Sequence, residues 1–476
     1  MTKKSLPTPK KNVNQFIATK RQEAAKIDIS QRSGKFIEIY QPMDEPTLKV
    51  QAERCLECGV AYCQWKCPVH NYIPGWLKLA YEGRIDEAVQ LSHQTNSLPE
   101  ICGRVCPQDR LCEGSCTLND GFGAVTIGNV EKYITDTAFA NGWQFEYPEL
   151  ADNARKIAVV GSGPAGIACA DVLRRLGYKV TVFERQAQIG GLLTYGIPGF
   201  KLEKDLILRR HQLLASAGIE FKLNTEIGRE ITLEQLSSDY AAVFIGVGTY
   251  QAVTDSVVNQ PELTNVILAL DFLESINKQV VNASPLTSDW NVAGKKVVVL
   301  GGGDTTMDCI RSSIRLGASE AVGVYRGCED RLPGSRKEFI NVTEEGGRFI
   351  FNAQAVAVIH ENGVVKKIRF IRTEEHYNGN VCALKPLAGS EFEVECDLII
   401  TAFGFRAEEL PWLNQLSRDS VGRIKVGGSM TQQTSAANVF AGGDIVRGAS
   451  LVVHAIADGM QAAREIQVYL ESQHAG

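Results

Sequence analysis

A ten-residue segment of this chain occurs twice, and the repeat constrains the fold more than any other feature. The first copy, Ile157–Gly166, reads IAVVGSGPAG, and the second, Val297–Thr306, reads VVVLGGGDTT, 140 residues later. Each copy is a short apolar run, then a glycine turn, then a helical pattern. Such strand–turn–helix units bind dinucleotides, and a second strand completes them. The sequence therefore predicts an α/β fold with two Rossmann-type dinucleotide-binding domains.

The glycines of the first copy have distinct expected roles. Gly161 permits the tight turn, Gly163 lets backbone N–H groups approach a pyrophosphate, and Gly166 lets the helix pack closely on the strand. The second strand ends at Glu184, where a carboxylate accepts hydrogen bonds from a ribose diol and repels a 2′-phosphate. A plain surface charge is the alternative for Glu184, and the motif upstream makes it the weaker one.

Two further segments favour FAD in the first domain. A glycine-rich loop from Gly190 to Pro198, which contains Gly191 and Leu192, allows close backbone approach to a ligand. Near the C-terminus, Asp444 follows a short apolar strand, so its carboxyl can bond a ribityl or ribose hydroxyl. The first domain is then split, with its last part supplied by the C-terminal segment.

The second copy differs in ways that favour NADPH. Gly301, Gly303, Asp304 and Thr305 form its turn, but Thr306 stands in place of the third glycine, so the helix is expected slightly further from the strand. Tyr325 or Arg326 lies where the first copy has its acid, and loss of the carboxylate with a guanidinium at Arg326 suits a 2′-phosphate. Arg331, Arg336 and Lys337 add positive charge nearby, which supports this assignment. The alternative for these three residues is a solvated loop.

Eight of the 13 cysteines fall in two runs ahead of the glycine motifs. The first run contains Cys55, Cys58, Cys63 and Cys67, and the second contains Cys102, Cys106, Cys112 and Cys116. Eight thiolates suffice for two four-ligand sites, and a Cys-Pro step in each run is typical of ferredoxin-type sequences. Two [4Fe–4S] clusters are favoured over two structural zinc sites, because two dinucleotide domains in the same chain give clusters electrons to carry.

These patterns divide the chain into a polar extension (1–44), a helical iron–sulfur domain (45–150), a split FAD-binding domain (151–285 and 405–476) and an NADPH-binding domain (286–404). Within the helical domain, the segment from Tyr72 to Leu91 predicts two amphipathic helices with Gly83 between them.

Charge and composition exclude several classes of function. A formal net charge of −5 is unsuited to coating nucleic acid or an anionic membrane. No apolar run reaches the ~18 residues of a membrane span. Thirteen cysteines without an export signal indicate the reducing cytoplasm.

From about Ile37 onward the chain resembles the small (beta) subunits of bacterial NADPH-dependent glutamate synthases, and also the N-terminal half of dihydropyrimidine dehydrogenase. The resemblance depends on long motifs: the Cys55–Cys67 run, CPVHNYIP (67–74), HQTNSLPE (93–100), the Cys102–Cys116 segment, Gly190–Pro198, PGSR (333–336) and GGDIVRG (442–448).

The resemblance implies crossed ligation, with one cluster on Cys55, Cys58, Cys63 and Cys116 and the other on Cys67, Cys106 and Cys112. The eighth ligand stays open between Cys102 and Glu131, since dihydropyrimidine dehydrogenases have a side-chain amide at the position of Glu131. Three residues depart from the family pattern: Thr306 replaces Ala, Cys328 follows Gly327 where a second Arg is usual, and His454 replaces Thr.

The function implied by the resemblance is electron input: NADPH reduces FAD, and the clusters pass electrons to a large (alpha) subunit that makes L-glutamate from L-glutamine and 2-oxoglutarate. Because cofactors carry the chemistry, no catalytic acid–base pair is expected. An NADPH oxidoreductase that supplies another acceptor is the first alternative. A zinc-stabilised flavoprotein scaffold that only binds a partner is the second.

Overall fold

The computed structural model describes residues 11–282, 290–378 and 381–473. The cysteine-rich region is helical, and its principal helices are Glu45–Glu53, Tyr62–Lys66, Ile73–Tyr81, Ile85–Thr95, Pro99–Val105 and Ile127–Ala140. Leu48, Trp76, Val130 and Ile134 are almost fully buried at its centre. The predicted helix pair is confirmed, with Gly83 between the two helices at φ +75°.

The first α/β unit contains a five-stranded parallel sheet. Its spatial order is Val439–Ala441, Ala242–Ile245, Lys156–Val160, Lys179–Phe183 and Glu220–Lys222. The helix Pro164–Arg175 follows the first glycine turn and packs against the C-terminal helix Val452–Ser472. The last part of the chain thus supplies both an edge strand and a covering helix to this unit.

The second α/β unit repeats the arrangement. Its parallel sheet has the order Val266–Leu268, Leu398–Thr401, Lys296–Leu300, Glu320–Val324 and Arg348–Ile350. The helix Asp304–Arg315 follows the second turn, and an antiparallel sheet is attached, formed by Ala353–Glu361, Val364–Asn378, Val381–Pro386 and Phe392–Glu395. A helical domain ahead of two Rossmann-type units confirms the predicted fold class.

The boundary predicted between residues 285 and 286 lies outside the described residues. The strand Val266–Leu268 nevertheless pairs with Leu398–Thr401 in the second sheet, and the helix Ala269–Asn282 follows it into the second core. The predicted FAD range 151–285 therefore contains elements of the second unit. A strand of three residues carries too little pattern to indicate which sheet it joins.

The helix-ending glycines of the two units are equivalent. Gly177 has φ +87° and Gly317 has φ +85°, each one residue past the cap of its helix. Left-handed backbone at this position favours glycine and closes the helix end. The repeat seen in the sequence is thus preserved in the backbone.

The segment before residue 45 contacts the helical domain and both α/β units. Glu38 pairs with Arg104 and Lys132 of the helical domain, at 3.0 and 2.8 Å, and Lys26 pairs with Glu344 of the second α/β unit at 2.8 Å. No helix in the described ranges has the length and apolar character needed to cross a membrane.

Candidate functional site

The first glycine turn is packed so tightly that two of its positions exclude a side chain. Gly161 has φ +93°, and a Cβ there would lie 2.6 Å from the carbonyl oxygen of Gly246. A Cβ on Gly166 would lie 1.8 Å from the carbonyl oxygen of Gly161. A Cβ on Gly163 meets nothing within 4 Å. The backbone at Gly163, which caps the helix Pro164–Arg175, is therefore open to a ligand.

A cavity of about 470 Å³ lies over this turn. The residues expected to hold FAD that line it are Gly161, Gly163, Glu184, Gly191, Leu192 and Asp444. Gly166 lies beneath the turn and contributes close packing. Open backbone at a helix N-terminus, a neighbouring carboxylate and apolar walls suit a dinucleotide such as FAD.

Glu184 is buried and supports the glycine turn directly. One carboxylate oxygen accepts hydrogen bonds from the Ser162 N–H at 2.9 Å and the Ser162 hydroxyl at 2.5 Å. The other oxygen accepts from the Gln186 N–H at 2.8 Å. The surface-charge alternative does not describe this carboxylate, because it is 6% exposed and faces the cavity.

Asp444 begins the short helix Asp444–Arg447 at the cavity wall. Burial raises the pKa of its carboxyl to about 7. Gly443 precedes it at φ +76°, and the Gly443 N–H donates to Asp458 at 3.0 Å. Asp458 also pairs with Arg447 at 2.5 Å, so the turn that presents Asp444 is fixed from both sides.

The second glycine turn is also open at its second glycine, but its third position holds a different residue. Gly301 has φ +148°, and its Cβ would lie 2.5 Å from the carbonyl oxygen of Ala402, whereas a Cβ on Gly303 meets nothing within 4 Å. Thr306 occupies the third position and is completely buried. A cavity of about 570 Å³ lies here, lined by Gly301, Gly303, Thr305 and Arg326.

Thr305 and Asp304 connect the two cavities. Thr305 lines both, and Asp304 lines the first. The Asp304 carboxylate accepts a hydrogen bond from the Ser335 N–H at 2.8 Å. Asp304 and Thr305, two of the residues expected at the second nucleotide, thus lie at the first cavity, as hydride transfer between two ligands requires.

The two candidate phosphate-binding arginines differ in availability. Arg326 is exposed at the second cavity, and its guanidinium has no hydrogen bond or ion pair with any residue in the described ranges. Arg336 lies outside that lining; it pairs with Glu329 at 2.6 Å and lies over the Phe339 ring at 4.8 Å. Of these two arginines, Arg326 is the one that lines the cavity with its guanidinium unpaired among the described residues.

The eight clustered cysteines are sorted into two small cavities that cross the sequence runs. One is lined by Cys55, Cys58, Cys63 and Cys116. The other is lined by Cys67, Cys102, Cys106 and Cys112, together with Glu131. Cys102 and Glu131 both face the second cavity, and Glu131 accepts from Asn71 at 2.9 Å while burial raises its pKa to about 8.

The clustered thiols can supply the ligands of an iron–sulfur cluster. Burial, reinforced by neighbouring cysteines, raises the pKa to about 11 for Cys55 and about 12 for Cys63 and Cys67. Such thiols become thiolates when a cationic centre is present. Four cysteines line each cavity, and cysteine thiolates are the usual ligands of a [4Fe–4S] cluster.

The second cysteine cavity adjoins the first nucleotide cavity. Val105, directly before Cys106, lines the nucleotide cavity, and Val453, directly after the cavity residue Val452, lines the cysteine cavity. The other cysteine cavity is nearer the surface, where Tyr62 is 59% exposed. The two cysteine cavities share Ile127 in their linings, so the three cavities lie in series. We call the cysteine cavity beside the nucleotide cavity the inner one and the other the outer one.

Sequence reasoning missed a buried ion pair in the first cavity. The Lys201 ammonium lies 3.1 Å from the Asp308 carboxylate, and both residues line the cavity. Burial raises the pKa of Asp308 to about 6, although Lys201 opposes the shift. The pair joins the first α/β unit to the helix of the second, and a separation of 107 residues leaves no local signal of it.

Comparison with known proteins divides the chain between the helical cysteine-rich domain and the first α/β unit. Residues 32–143 match the family model described as dihydropyrimidine dehydrogenase domain II, 4Fe-4S cluster. Residues 155–459 match the pyridine nucleotide-disulphide oxidoreductase model. The glutamate synthase [NADPH] small chain of Escherichia coli (strain K12) is 52% identical over 97% of this chain and 99% of its own length. The chain belongs to the glutamate synthase small-chain family.

The resemblance expected from the cysteine and glycine motifs is thereby confirmed, and the chain is an oxidoreductase with an iron–sulfur domain. The putative oxidoreductase UacF of Escherichia coli (strain K12) is also similar, with 48% identity over 95% of this chain and 72% of its own length. Mycobacterium tuberculosis FprA in complex with NADPH shares the fold, with a TM-score of 0.58, 19% identity and coverage of 68% of this chain and 86% of FprA.

Proposed function

We propose that this chain is the electron-input subunit of glutamate synthase. It oxidises NADPH at the second cavity and holds FAD in the first. Electrons leave through two [4Fe–4S] clusters to a large subunit that makes L-glutamate from L-glutamine and 2-oxoglutarate. We place the protein in the cytoplasm.

The observation that carries this proposal is the wall shared by the first nucleotide cavity and the second cysteine cavity, formed around Val105 and Val453. FAD, when bound, accepts a hydride and releases its electrons singly, which is what an iron–sulfur cluster accepts. The chain's own contribution is placement, because electron transfer depends on short separations between redox groups.

The residues that bind the nucleotides act through backbone and charge. Gly163 and Gly303 present open backbone to phosphates, Glu184 offers its carboxylate to a ribose, and Arg326 offers its guanidinium to a 2′-phosphate. Arg336 does not line the second cavity and contributes only its positive charge near the 2′-phosphate site. Asp444 presents a carboxyl to the flavin dinucleotide.

The cluster ligands follow the cavity linings. We assign Cys55, Cys58, Cys63 and Cys116 to the outer cluster, and Cys67, Cys106 and Cys112 to the inner one. The fourth inner ligand is Cys102 or Glu131. Iron analysis of Cys102→Ser and Glu131→Gln separates them, since only loss of the true ligand should reduce cluster content.

The purified chain tests the assignment of chemistry. We expect it to oxidise NADPH with artificial acceptors and to make no glutamate from glutamine and 2-oxoglutarate. Capture of the chain from its native cytoplasm should bring a very large glutamate synthase chain with it. Glutamate formation by the pure chain would contradict this division of labour.

The inner cysteine cavity provides a sharper test. Cys106→Ser replaces a thiolate by a harder, poorly ionised ligand. We expect lower iron content and no electron delivery to the large subunit, while NADPH still bleaches the bound flavin. Full delivery by a protein that lacks the inner cluster would rule out the relay.

A second candidate function is electron input to another acceptor. The 48% identity to UacF and to the putative oxidoreductase AegA of the same organism favours it, because each spans 95% of this chain. Reconstitution decides between the two: rapid reduction of the large subunit supports glutamate synthase, and its absence with an intact relay supports the alternative.

A further inference from the structure

A loop of the cysteine domain reaches the second nucleotide site. Arg110 lies between Cys106 and Cys112, and its guanidinium donates to two consecutive carbonyl oxygens in the other unit. The Pro333 oxygen accepts at 2.7 Å, and the Gly334 oxygen accepts from the second terminal nitrogen. No ion pair competes for Arg110 within the described residues. A planar guanidinium bound to adjacent carbonyls fixes both distance and direction.

The loop that carries Arg110 is stiff on the cysteine side. Residues Gln108–Arg110 form a 3-10 turn, and the Gln108 carbonyl accepts from the Glu113 and Gly114 N–H groups at 2.9 and 3.0 Å. A Cβ on Gly114 would lie 2.0 Å from the Asp109 carbonyl oxygen. Arg110 is thus held rigidly to the wall of the inner cysteine cavity.

The segment that Arg110 contacts is equally close to the second glycine turn. The Gly334 N–H donates to the Gly302 carbonyl at 2.9 Å, and the Ser335 N–H donates to Asp304 at 2.8 Å. A Cβ on Gly334 would lie 3.0 Å from the Gly302 oxygen. Pro333 itself lines the second cavity. Any displacement of residues 333–335 therefore displaces the backbone that faces the nucleotide.

We propose that Arg110 is a positioning residue for the second nucleotide site, holding residues 333–335 against the glycine turn so that NADP(H) affinity depends on the loop between two inner cysteines. This inference rests on the proposed function, since it takes the second cavity as the NADP(H) site. Linkage makes the effect reciprocal: bound NADP⁺ stabilises the cysteine loop as much as the loop stabilises bound NADP⁺.

The wild-type holoprotein gives the first test. Hydrogen exchange of backbone amides in residues 106–112 is measured with and without NADP⁺, which binds without reducing the flavin. We expect slower exchange in the presence of NADP⁺, and no such change in Arg110→Ala. Unchanged exchange in the wild-type loop at saturating NADP⁺ would overturn the proposal without reference to any variant.

Calorimetric titration with NADP⁺ gives the second test. We expect Arg110→Ala to bind about tenfold more weakly, because residues 333–335 lose the two charge-assisted bonds that hold them against the glycine turn, with FAD and iron contents unchanged. Arg110→Lys keeps the charge and one bond, so it should stay within about threefold of wild type. The matched control is Arg84→Ala on the same domain, since among the described residues this arginine pairs only with Glu82 and Glu87.

Equal affinity of Arg110→Ala and Arg84→Ala would overturn the positioning role. Arg110→Ala could lose both iron and NADP⁺ affinity while Arg110→Lys keeps both. In that case the wild-type exchange experiment decides whether the proposal stands. Failure of the proposed function looks different: wild type would then bind no NADP⁺. If Arg326→Glu weakens NADP⁺ binding while Arg110→Ala does not, only this inference fails.

Discussion

The two glycine turns occupy equivalent places in two parallel sheets, but different residues hold them in position. In the first, Gly166 packs on the turn and the Glu184 carboxylate bonds it from below. In the second, Thr306 fills the third position, and the turn is braced from outside through Gly334 and Arg110. The first turn is specified by its own unit, whereas the second depends on a neighbouring domain. This difference suits one tightly held cofactor and one nucleotide that exchanges.

The largest expected effect comes from adding one methyl group at the first turn. Gly166→Ala would put a Cβ 1.8 Å from a backbone oxygen, so the helix must move away from the strand. We expect FAD to be lost and stability to fall by about 3 kcal/mol. FAD content per chain and thermal unfolding measure both effects.

The equivalent position of the second turn provides the control. Thr306→Ala shortens a side chain whose buried hydroxyl has no hydrogen-bond partner in the described structure. We expect a stability change below about 1 kcal/mol and retention of FAD. Similar losses in both variants would show that the two turns do not differ in packing.

Charge at the second strand end gives the next largest effect. Arg326→Glu replaces a free guanidinium by a carboxylate at the second cavity. We expect NADPH binding to weaken about tenfold or more relative to NADH, since a charge-assisted phosphate contact becomes repulsion. The ratio of kcat/KM for the two nucleotides measures it, and an unchanged ratio would move the role to Arg331 or Arg336.

The smallest expected effect is a pH dependence confined to the first cavity. Burial raises the pKa of Asp444 to about 7, above its ordinary value of 3.8. The neutral form is therefore favoured in the folded protein, and its contribution to stability is complete below about pH 3.8 and is lost as the pH rises from there through about 7. Above pH 7 the ionised carboxylate adds negative charge to the cavity proposed to hold the FAD pyrophosphate, so we expect FAD to dissociate about threefold more readily at pH 8 than at pH 6.

Asp444→Asn tests the origin of that dependence. The amide cannot ionise, so FAD retention should be nearly independent of pH between 6 and 8. NADP⁺ affinity, measured in parallel, serves as the internal control because Asp444 does not line the second cavity. A variant that keeps the wild-type pH profile would exclude Asp444 as its source.

Local sequence was enough to predict the parts of the site that are local in the chain. The glycine turns, Glu184 and the helix-ending Gly177 follow from backbone sterics within about 25 residues. The prediction of a helical domain before two α/β units is confirmed for the same reason. The individual ligand assignments, Arg326 among them, stay predictions.

The features that sequence reasoning missed are all pairings between distant segments. Lys201 meets Asp308, and Arg110 meets Pro333 and Gly334, across separations with no repeating pattern. The strand Val266–Leu268 falls within the range 151–285 predicted for the first unit but pairs in the second sheet, because three residues carry too little pattern to indicate which sheet a strand joins. Arg336 begins the helix Arg336–Glu344 rather than lying on a loop, and its guanidinium pairs with Glu329 and does not line the second cavity.

The split first unit also sets an order of assembly on the ribosome. The strand Ala242–Ile245 has Val439–Ala441 as its outer neighbour, and that neighbour is synthesised only after the whole second unit. Until then Ala242–Ile245 is an open edge of the nascent sheet, and such edges associate with other chains. Asp444 and the start of the C-terminal helix line the first cavity, so we expect FAD to bind only after they are synthesised. Chains interrupted after the second unit should aggregate rather than accumulate as soluble, flavin-free intermediates.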